Sequence, residues 1–379
     1  MTRPETDLST FSADELRRYG RQLALPAFGI EGQRGLKAAS VLIVGAGGLG
    51  SPAALYLAAA GVGRLGIVEF DRVEQSNLHR QLLYASSDTG RSKIEAARER
   101  ILGVNPEITV EGYETRLTSV NALSILKGFD IVLDGSDNFP TRYLVNDAAV
   151  IAGIPCVYGS VHRFEGQLSV FAARGGPCYR CLFREPPPAG AVPNCAEAGV
   201  LGVLPGIIGT LQATEAIKLI ADIGEPLVGR LLLFDALAMS FRTVELRRDP
   251  DCPSCGASAR GTLVDYDLEC DANAVRSIAP LELAARLDRG DDVDIVDVRE
   301  PYEWEIARLD GARLVPLGQL ELEMESFDPA RDTVVYCKTG KRSEQAAQIL
   351  AGAGIRNVFS LDGGVVRWRG EVDPTFPQY

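Results

Sequence analysis

Cys337-Lys338-Thr339-Gly340-Lys341-Arg342-Ser343 follows the apolar run Val334-Val335-Tyr336 and precedes a helix-like segment, Glu344 to Ala353. A cysteine at a strand end that faces a tight loop and a helix N-terminus meets backbone N–H groups and the positive end of a dipole. Lys338, Lys341 and Arg342 add cations, so the surroundings suit a nucleophilic thiolate. A free cysteine is more often a small buried hydrophobe. Three cations and a glycine in the next five residues are poor core material, and the expected chemistry is nucleophilic sulfur chemistry.

Far upstream, Gly45-Ala46-Gly47-Gly48-Leu49-Gly50 fits the pattern G-x-G-x-x-G between a strand-like and a helix-like run. Glu69, at the end of the next strand, stands near the offset of a ribose-binding acid. That turn alone serves NAD as readily as ATP. Arg80, within Ser76-Asn77-Leu78-His79-Arg80-Gln81, and Lys93, after Gly90-Arg91-Ser92, supply cations that a triphosphate needs for charge neutralisation. Asp71 and Asn77 fall in the same stretch. Asp134-Gly135-Ser136-Asp137-Asn138 follows an apolar strand, where carboxylates meet ligands at the carboxyl edge of a sheet. Asp137 there can hold Mg2+ between phosphates, with Asn138 beside it. The bland alternatives are solvated surface charge for Arg80 and Lys93, and a turn or helix cap for Asp137.

Cys178-Tyr179-Arg180-Cys181 and Cys252-Pro253-Ser254-Cys255 are two Cys-x-x-Cys pairs. Soft thiolates from two such knuckles make a tetrahedral four-sulfur Zn2+ site, although each pair could instead be redox-active. Cys195 lies apart, in a loop opened by Pro186-Pro187-Pro188. Cys156 and Cys270 carry no motif, so packing is their default.

The elements that must position these residues read as an α/β chain. Val41 to Val44, Leu65 to Val68, Ile108 to Tyr113 and Phe129 to Leu133 are strand-like runs separated by helix-like segments such as Ser51 to Ala60 and Lys93 to Leu102. Such alternation implies a Rossmann-like doubly wound sheet. Pro155 to Ala172 reads as a hairpin turning near Glu165-Gly166, which adds antiparallel members and makes the sheet mixed. Ile207 to Ile223 is a long helix, and Leu231 to Phe234 is the expected last strand of this half. Weak periodicity places a linker at 256–276, between an ATP-binding domain at 1–255 and a smaller α/β domain at 277–379 with a parallel sheet.

The 379 residues are 46% hydrophobic and 24% charged, as in a soluble globular protein. The formal net charge of −12 argues against a nucleic-acid backbone as partner. No signal peptide or membrane span is expected, which places the chain in the cytoplasm. In a reducing compartment paired cysteines point to metal or redox work.

The last hundred or so residues resemble rhodaneses, through the Cys337 loop together with Asp297-Val298-Arg299-Glu300, Gly311-Ala312 and Leu361-Asp362-Gly363-Gly364. Related phosphatases carry arginine at the sixth place after the cysteine, to seat a tetrahedral phosphate. Here that place is Ser343, and Arg342 closes a smaller ring suited to one sulfur atom. The resemblance implies a persulfide-carrying sulfurtransferase.

Residues 11 to 255 resemble the MoeB/ThiF family of ubiquitin-activating-like enzymes, matching also at Arg17-Tyr19-Arg21-Gln22, Asp71 to Gln81 and Cys195-Ala196-Glu197-Ala198-Gly199-Val200. The order of the whole chain resembles that of MoeB–rhodanese fusions. This implies ATP contacts at Gly47, Glu69, Asn77, Arg80, Lys93 and Asp137, a homodimer in which Arg21 reaches into the neighbouring site, and a covalent link at Cys195 during transfer. The family usually has Asp where this chain has Glu69, and often Gln in place of His79. A carboxylate is a poor acyl donor because its leaving group would be oxide. The implied reaction is therefore AMP transfer to the C-terminal glycine of a ubiquitin-like sulfur-carrier protein ending in Gly-Gly, of the MoaD, ThiS or CysO kind. Sulfur then passes from a Cys337 persulfide, loaded by thiosulfate or a cysteine desulfurase, to give a thiocarboxylate. The competing readings are an NAD-dependent oxidoreductase with a redox-active thiol domain and a non-catalytic carrier-binding scaffold.

Overall fold

The computed structural model describes residues 10–187, 199–257, 259, 261–265, 276–355, 357–377 and 379. The chain divides into two units, Met1–Leu268 and Glu269–Tyr379.

The first unit begins with α1 (Ala13–Leu23), capped by Ser12: its side chain accepts the Glu15 amide at 3.1 Å, and Glu15 accepts the Ser12 amide at 2.7 Å. After α2 (Gly29–Ala38) comes β1 (Ser40–Val44), buried at every position as a central parallel strand must be. The pattern continues through α3 (Gly50–Ala60), β2 (Arg64–Val68), α4 (Lys93–Val104), β3 (Thr109–Tyr113), α5 (Ala122–Leu126), β4 (Ile131–Asp134) and α6 (Phe139–Ala152). Then follow β5 (Cys156–His162), β6 (Glu165–Phe171), α7 (Tyr179–Leu182), α8 (Val203–Ala221), β7 (Arg230–Asp235) and β8 (Ser240–Glu245).

The strands lie in the order β3-β2-β1-β4-β5-β6-β7-β8. The first five are parallel and the rest antiparallel. The order reverses between β1 and β4, so the carboxyl ends of those two strands flank the crevice where such sheets bind ligands. Side chains of β1 alternate between two cores: Val41 and Ile43 join one, Leu42 and Val44 the other. Truncating Leu42, fully buried, to Ala costs roughly 2–5 kcal/mol.

α8 is long and apolar enough to cross a membrane by length and composition alone. Here it packs on α3 and β5, and it buries Gln212 and Glu215, which hydrogen-bond to backbone groups. The sequence pattern ends this half at Leu231 to Phe234, but a further strand, β8, pairs along all of β7. Every residue of β8 is exposed, so this edge strand carries no apolar alternation to betray it.

The second unit holds β9 (Arg276–Ile278), α9 (Pro280–Asp288), β10 (Val293–Asp297), α10 (Pro301–Ile306), β11 (Arg313–Leu314), β12 (Asp332–Tyr336), α11 (Lys341–Gly352), β13 (Val358–Leu361) and α12 (Gly364–Glu371). Its sheet is all parallel, in the order β11-β10-β12-β13-β9. Central β12 sends Val335 to one core and Val334 and Tyr336 to the other, with Cys337 just past its end. Of the expected linker, residues 258, 260 and 266–275 lie outside the described residues, as do Cys195 and Cys270.

Candidate functional site

Past Val44 the chain turns through Gly45–Leu49 into α3. A Cβ on Gly50 would overlap the Gly45 carbonyl oxygen, so only glycine lets helix and turn approach this closely. A Cβ on Gly47 would meet only Gln81 Nε2 within reach, at 3.6 Å, which leaves the outward face of the turn open. Gly48 lies against Pro205 and the stem of Arg80.

Glu69 is buried beside this turn. One carboxylate oxygen accepts the Ala46 amide at 3.1 Å, and the other accepts the Phe70 and Asp71 amides at 2.9 and 3.0 Å. The segment after it folds back, with Arg72 bridging Ser92, and buries Lys93. Lys93 Nζ lies 3.2 Å from Asp71 and 3.9 Å from Glu69. The glycine turn, Glu69, Asp71 and Lys93 are thus one hydrogen-bonded group. Arg80 heads a second: its guanidinium donates to Asn77 Oδ1 at 2.8 Å and to the Ser76 carbonyl at 3.4 Å.

Across the crevice β4 ends in Asp134, which accepts the Ser136 amide at 3.0 Å and hydroxyl at 2.5 Å. Burial pushes its carboxyl above the usual carboxylate range, against the pull of Arg142 at 3.8 Å. Asp137 is exposed on the same loop. The helix cap weighed for Asp137 is supplied by Asn138, whose side chain accepts the Thr141 amide at 3.0 Å and starts α6. Asp137 offers one exposed carboxylate at the carboxyl edge of the sheet, an oxygen ligand of the kind Mg2+ takes while keeping most of its waters. Arg21 is exposed in the last turn of α1, outside both hydrogen-bonded groups.

Two buried residues here carry no motif in the sequence. Gln212 of α8 donates to the Asp134 and Val157 carbonyls at 2.7 and 3.0 Å, clamping β4 to β5 at the crevice. Arg142 lies between Asp134 and the Tyr158 ring.

The two cysteine pairs meet. The sulfurs of Cys178, Cys181, Cys252 and Cys255 all lie within 4.8 Å of one another, with Cys178–Cys252 and Cys181–Cys255 at 3.5 Å. A tetrahedron with metal–sulfur bonds of about 2.3 Å has edges of about 3.8 Å, so the donor set fits Zn2+. Burial pushes the Cys178 thiol up, as does repulsion from the other three sulfurs, and burial raises Cys181 to about 11. Burial also acts on Cys252, but amide hydrogen bonds from Cys255 and Ser254 bring it below its ordinary value. The knuckle is fixed to α6: Asn146 accepts the Tyr179 amide at 2.7 Å, and Arg180 forks onto Asp147. Cys156 is buried in β5, as packing predicts.

In the second unit Cys337 is buried, and its sulfur accepts the Gly340 amide at 3.2 Å and the Ser343 hydroxyl at 3.6 Å. Ser343 is held in turn by Ser360 of β13 at 2.8 Å. Gly364, with φ +57°, touches the far side of the loop, where a Cβ would overlap the Cys337 carbonyl oxygen. Thr339 and Lys341 are exposed, and Lys338 is half-buried. Arg342 forks onto Glu303 at 2.6 and 2.8 Å. Asp297 and Arg299 form a wholly buried ion pair. Glu303 had no motif to mark it.

Residues 19–254 match the ThiF family, and residues 279–371 match the Rhodanese-like domain. The chain is 48% identical, over 98% of its length and 97% of the relative's, to the probable adenylyltransferase/sulfurtransferase MoeZ of Mycobacterium tuberculosis. It is 57% identical, over 69% of its length and 98% of the relative's, to the sulfur carrier protein adenylyltransferase of Thermus thermophilus. Among solved structures it resembles E. coli MccB crystallised with MccA-N7isoASN, with a TM-score of 0.58 at 23% identity over 66% of this chain and 76% of that one. That likeness concerns the fold.

Proposed function

The chain belongs to the ThiF family and carries a rhodanese-like domain behind it, and from that premise we propose how its two sites divide the work. The protein is an adenylyltransferase and sulfurtransferase that activates a ubiquitin-like sulfur carrier with ATP and then delivers sulfur to it. The observation that carries this reading is the presence on one chain of an open glycine turn ringed by Lys93 and Glu69 and a cysteine whose sulfur is held by the Gly340 amide.

In the first half-reaction a carboxylate oxygen of the carrier's C-terminal glycine attacks the α-phosphorus of ATP. The bond from that phosphorus to the oxygen bridging to the β-phosphorus breaks, and pyrophosphate leaves. Amides of the glycine turn at the N-terminus of α3 suit phosphate oxygens. Lys93 and Arg80 offset charge that spreads in the transition state, with Ser76 and Asn77 placing Arg80. Glu69 is assigned to the ribose, and Asp137 would hold Mg2+, which would supply positive charge against that of the phosphates. In a homodimer Arg21 adds a cation to the neighbouring site. Zn2+ at the four cysteines is structural, as a closed four-thiolate set is.

In the second half-reaction the outer sulfur of a Cys337 persulfide attacks the acyl carbon and AMP leaves. The product is an acyl disulfide between carrier and Cys337. A second thiol, assigned to Cys195, then attacks the Cys337 sulfur, which releases the carrier thiocarboxylate and leaves a disulfide that an external thiol reduces; the alternative role for Cys195 is to displace AMP first and hold the acyl group as a thioester until the persulfide attacks. Thiosulfate or a cysteine desulfurase is the proposed donor, and the cytoplasm, which keeps these thiols reduced, the proposed compartment. We assign 1–255 to adenylation, 277–379 to sulfur transfer and 256–276 to the linker. Pyrophosphate exchange with each candidate carrier from the same genome, alongside thiosulfate-to-cyanide transfer, tests the two halves separately.

A further inference from the structure

Glu303 joins Arg342 to Tyr379 in the second unit. It forks onto Arg342, five residues after Cys337, and it accepts the Tyr379 hydroxyl at 3.3 Å. The same hydroxyl accepts a hydrogen bond from Arg299, the partner of buried Asp297. The ring of Tyr379 also carries the Lys338 ammonium, 4.8 Å from its centroid, and Lys338 is the residue next to Cys337. One side chain thus touches the first cation of the loop directly and the last through Glu303. Burial, with Arg299 opposing, pushes the Tyr379 phenol up to about 12, so it keeps the proton it donates.

A lysine ammonium on a four-carbon stem samples many positions unless something holds it, and an aromatic face does so without neutralising its charge. Arg342, in contrast, has its charge offset by Glu303. We propose that Tyr379 is a positioning residue for the Cys337 loop, its ring holding Lys338, the residue that follows Cys337, as an anion-attracting cation of that loop. The reagent favoured at Cys337 is then a small oxyanion that brings its own negative charge, thiosulfate being the type. This rests on the sulfurtransferase reading only for the identity of the donor.

The test compares the full chain with Tyr379→Phe and Tyr379→Ala. Site-resolved mass spectrometry follows alkylation of Cys337 by anionic iodoacetate and neutral iodoacetamide. The ratio of the two rates reports the cation at the thiol and needs no turnover. Loss of a held cation of this kind corresponds to about a fivefold to tenfold effect. Tyr379→Ala is expected to lower the ratio by that amount, while Tyr379→Phe, which keeps the ring, stays within about twofold of the wild type. Thiosulfate kinetics should follow the same order, with KM raised in Tyr379→Ala and kcat nearly unchanged. An equal ratio in all three proteins overturns the proposal, as does a loss in Tyr379→Phe as large as in Tyr379→Ala. Absence of cyanide-dependent transfer in the wild type, with the ratio still falling in Tyr379→Ala, sinks the donor assignment and upholds the positioning role.

Discussion

Arg342 and Glu303, 39 residues apart, form a two-pronged ion pair with N–O distances of 2.6 and 2.8 Å. The sequence suggests Arg342 as the cation that closes the ring around sulfur. In the structure its fork is spent on a carboxylate, and the sulfur is held by the Gly340 amide and the Ser343 hydroxyl.

That pair makes stability depend on acid. Burial alone would raise the Glu303 carboxyl, but hydrogen bonding from Arg342 brings it below its usual value near 4.5. A lowered folded-state value means that the stabilisation is present above the unfolded value and is lost as pH falls through the folded one. Glu303→Gln should lower the melting temperature of the second unit at neutral pH. The gap from wild type should close below about pH 4. A gap that stays constant down to pH 3 would show that the pair contributes nothing through its charge.

Gly364→Ala tests the loop's geometry. The new methyl would overlap the Cys337 carbonyl at a residue with φ +57°. A cost of about 2 kcal/mol or more is expected from strain and displacement together, with loss of thiosulfate-to-cyanide transfer. Wild-type transfer by a protein of unchanged stability would show that the loop accommodates the shift freely.

Metal content gives a third outcome. One zinc per chain is expected, lost when Cys178 and Cys252 are both replaced by Ser, with a marked fall in thermal stability of the first unit. A metal-free protein of undiminished stability, with disulfides that titrate at these pairs, would favour redox chemistry instead.

Asp137→Ala should cut carrier-dependent pyrophosphate exchange about a hundredfold or more and leave cyanide-dependent sulfur transfer alone. Because Asp137 is exposed, its loss should change stability by no more than about 0.5 kcal/mol. Exchange at the wild-type rate would remove Asp137 from the phosphate site.

What could be read in the sequence was what lies close along the chain. The buried run Val41 to Val44, the glycine turn after it and the cysteine after Val334-Val335-Tyr336 each join an apolar period to a turn within a few residues. The meeting of the cysteine knuckles was legible too, because thiolate chemistry leaves paired Cys-x-x-Cys few other uses. β8 was not, since an edge strand exposed at every position needs no alternation. Nor were Glu303, Tyr379 and Gln212, which act through partners 39, 76 and 78 residues away. Nothing local marks such pairings. Asn138, beside Asp137 in its motif, also starts α6 by accepting the Thr141 amide.

The most direct test of the two-site account is the mass of the carrier's C-terminus after incubation with the full chain, ATP, Mg2+ and thiosulfate as the only sulfur source. Exchange of one glycine oxygen for sulfur is predicted with the wild type. With Cys337→Ala it should be absent, although pyrophosphate exchange by that variant persists. Thiocarboxylate formed by Cys337→Ala at the wild-type rate would contradict the account, because sulfur would then reach the acyl adenylate without passing through Cys337.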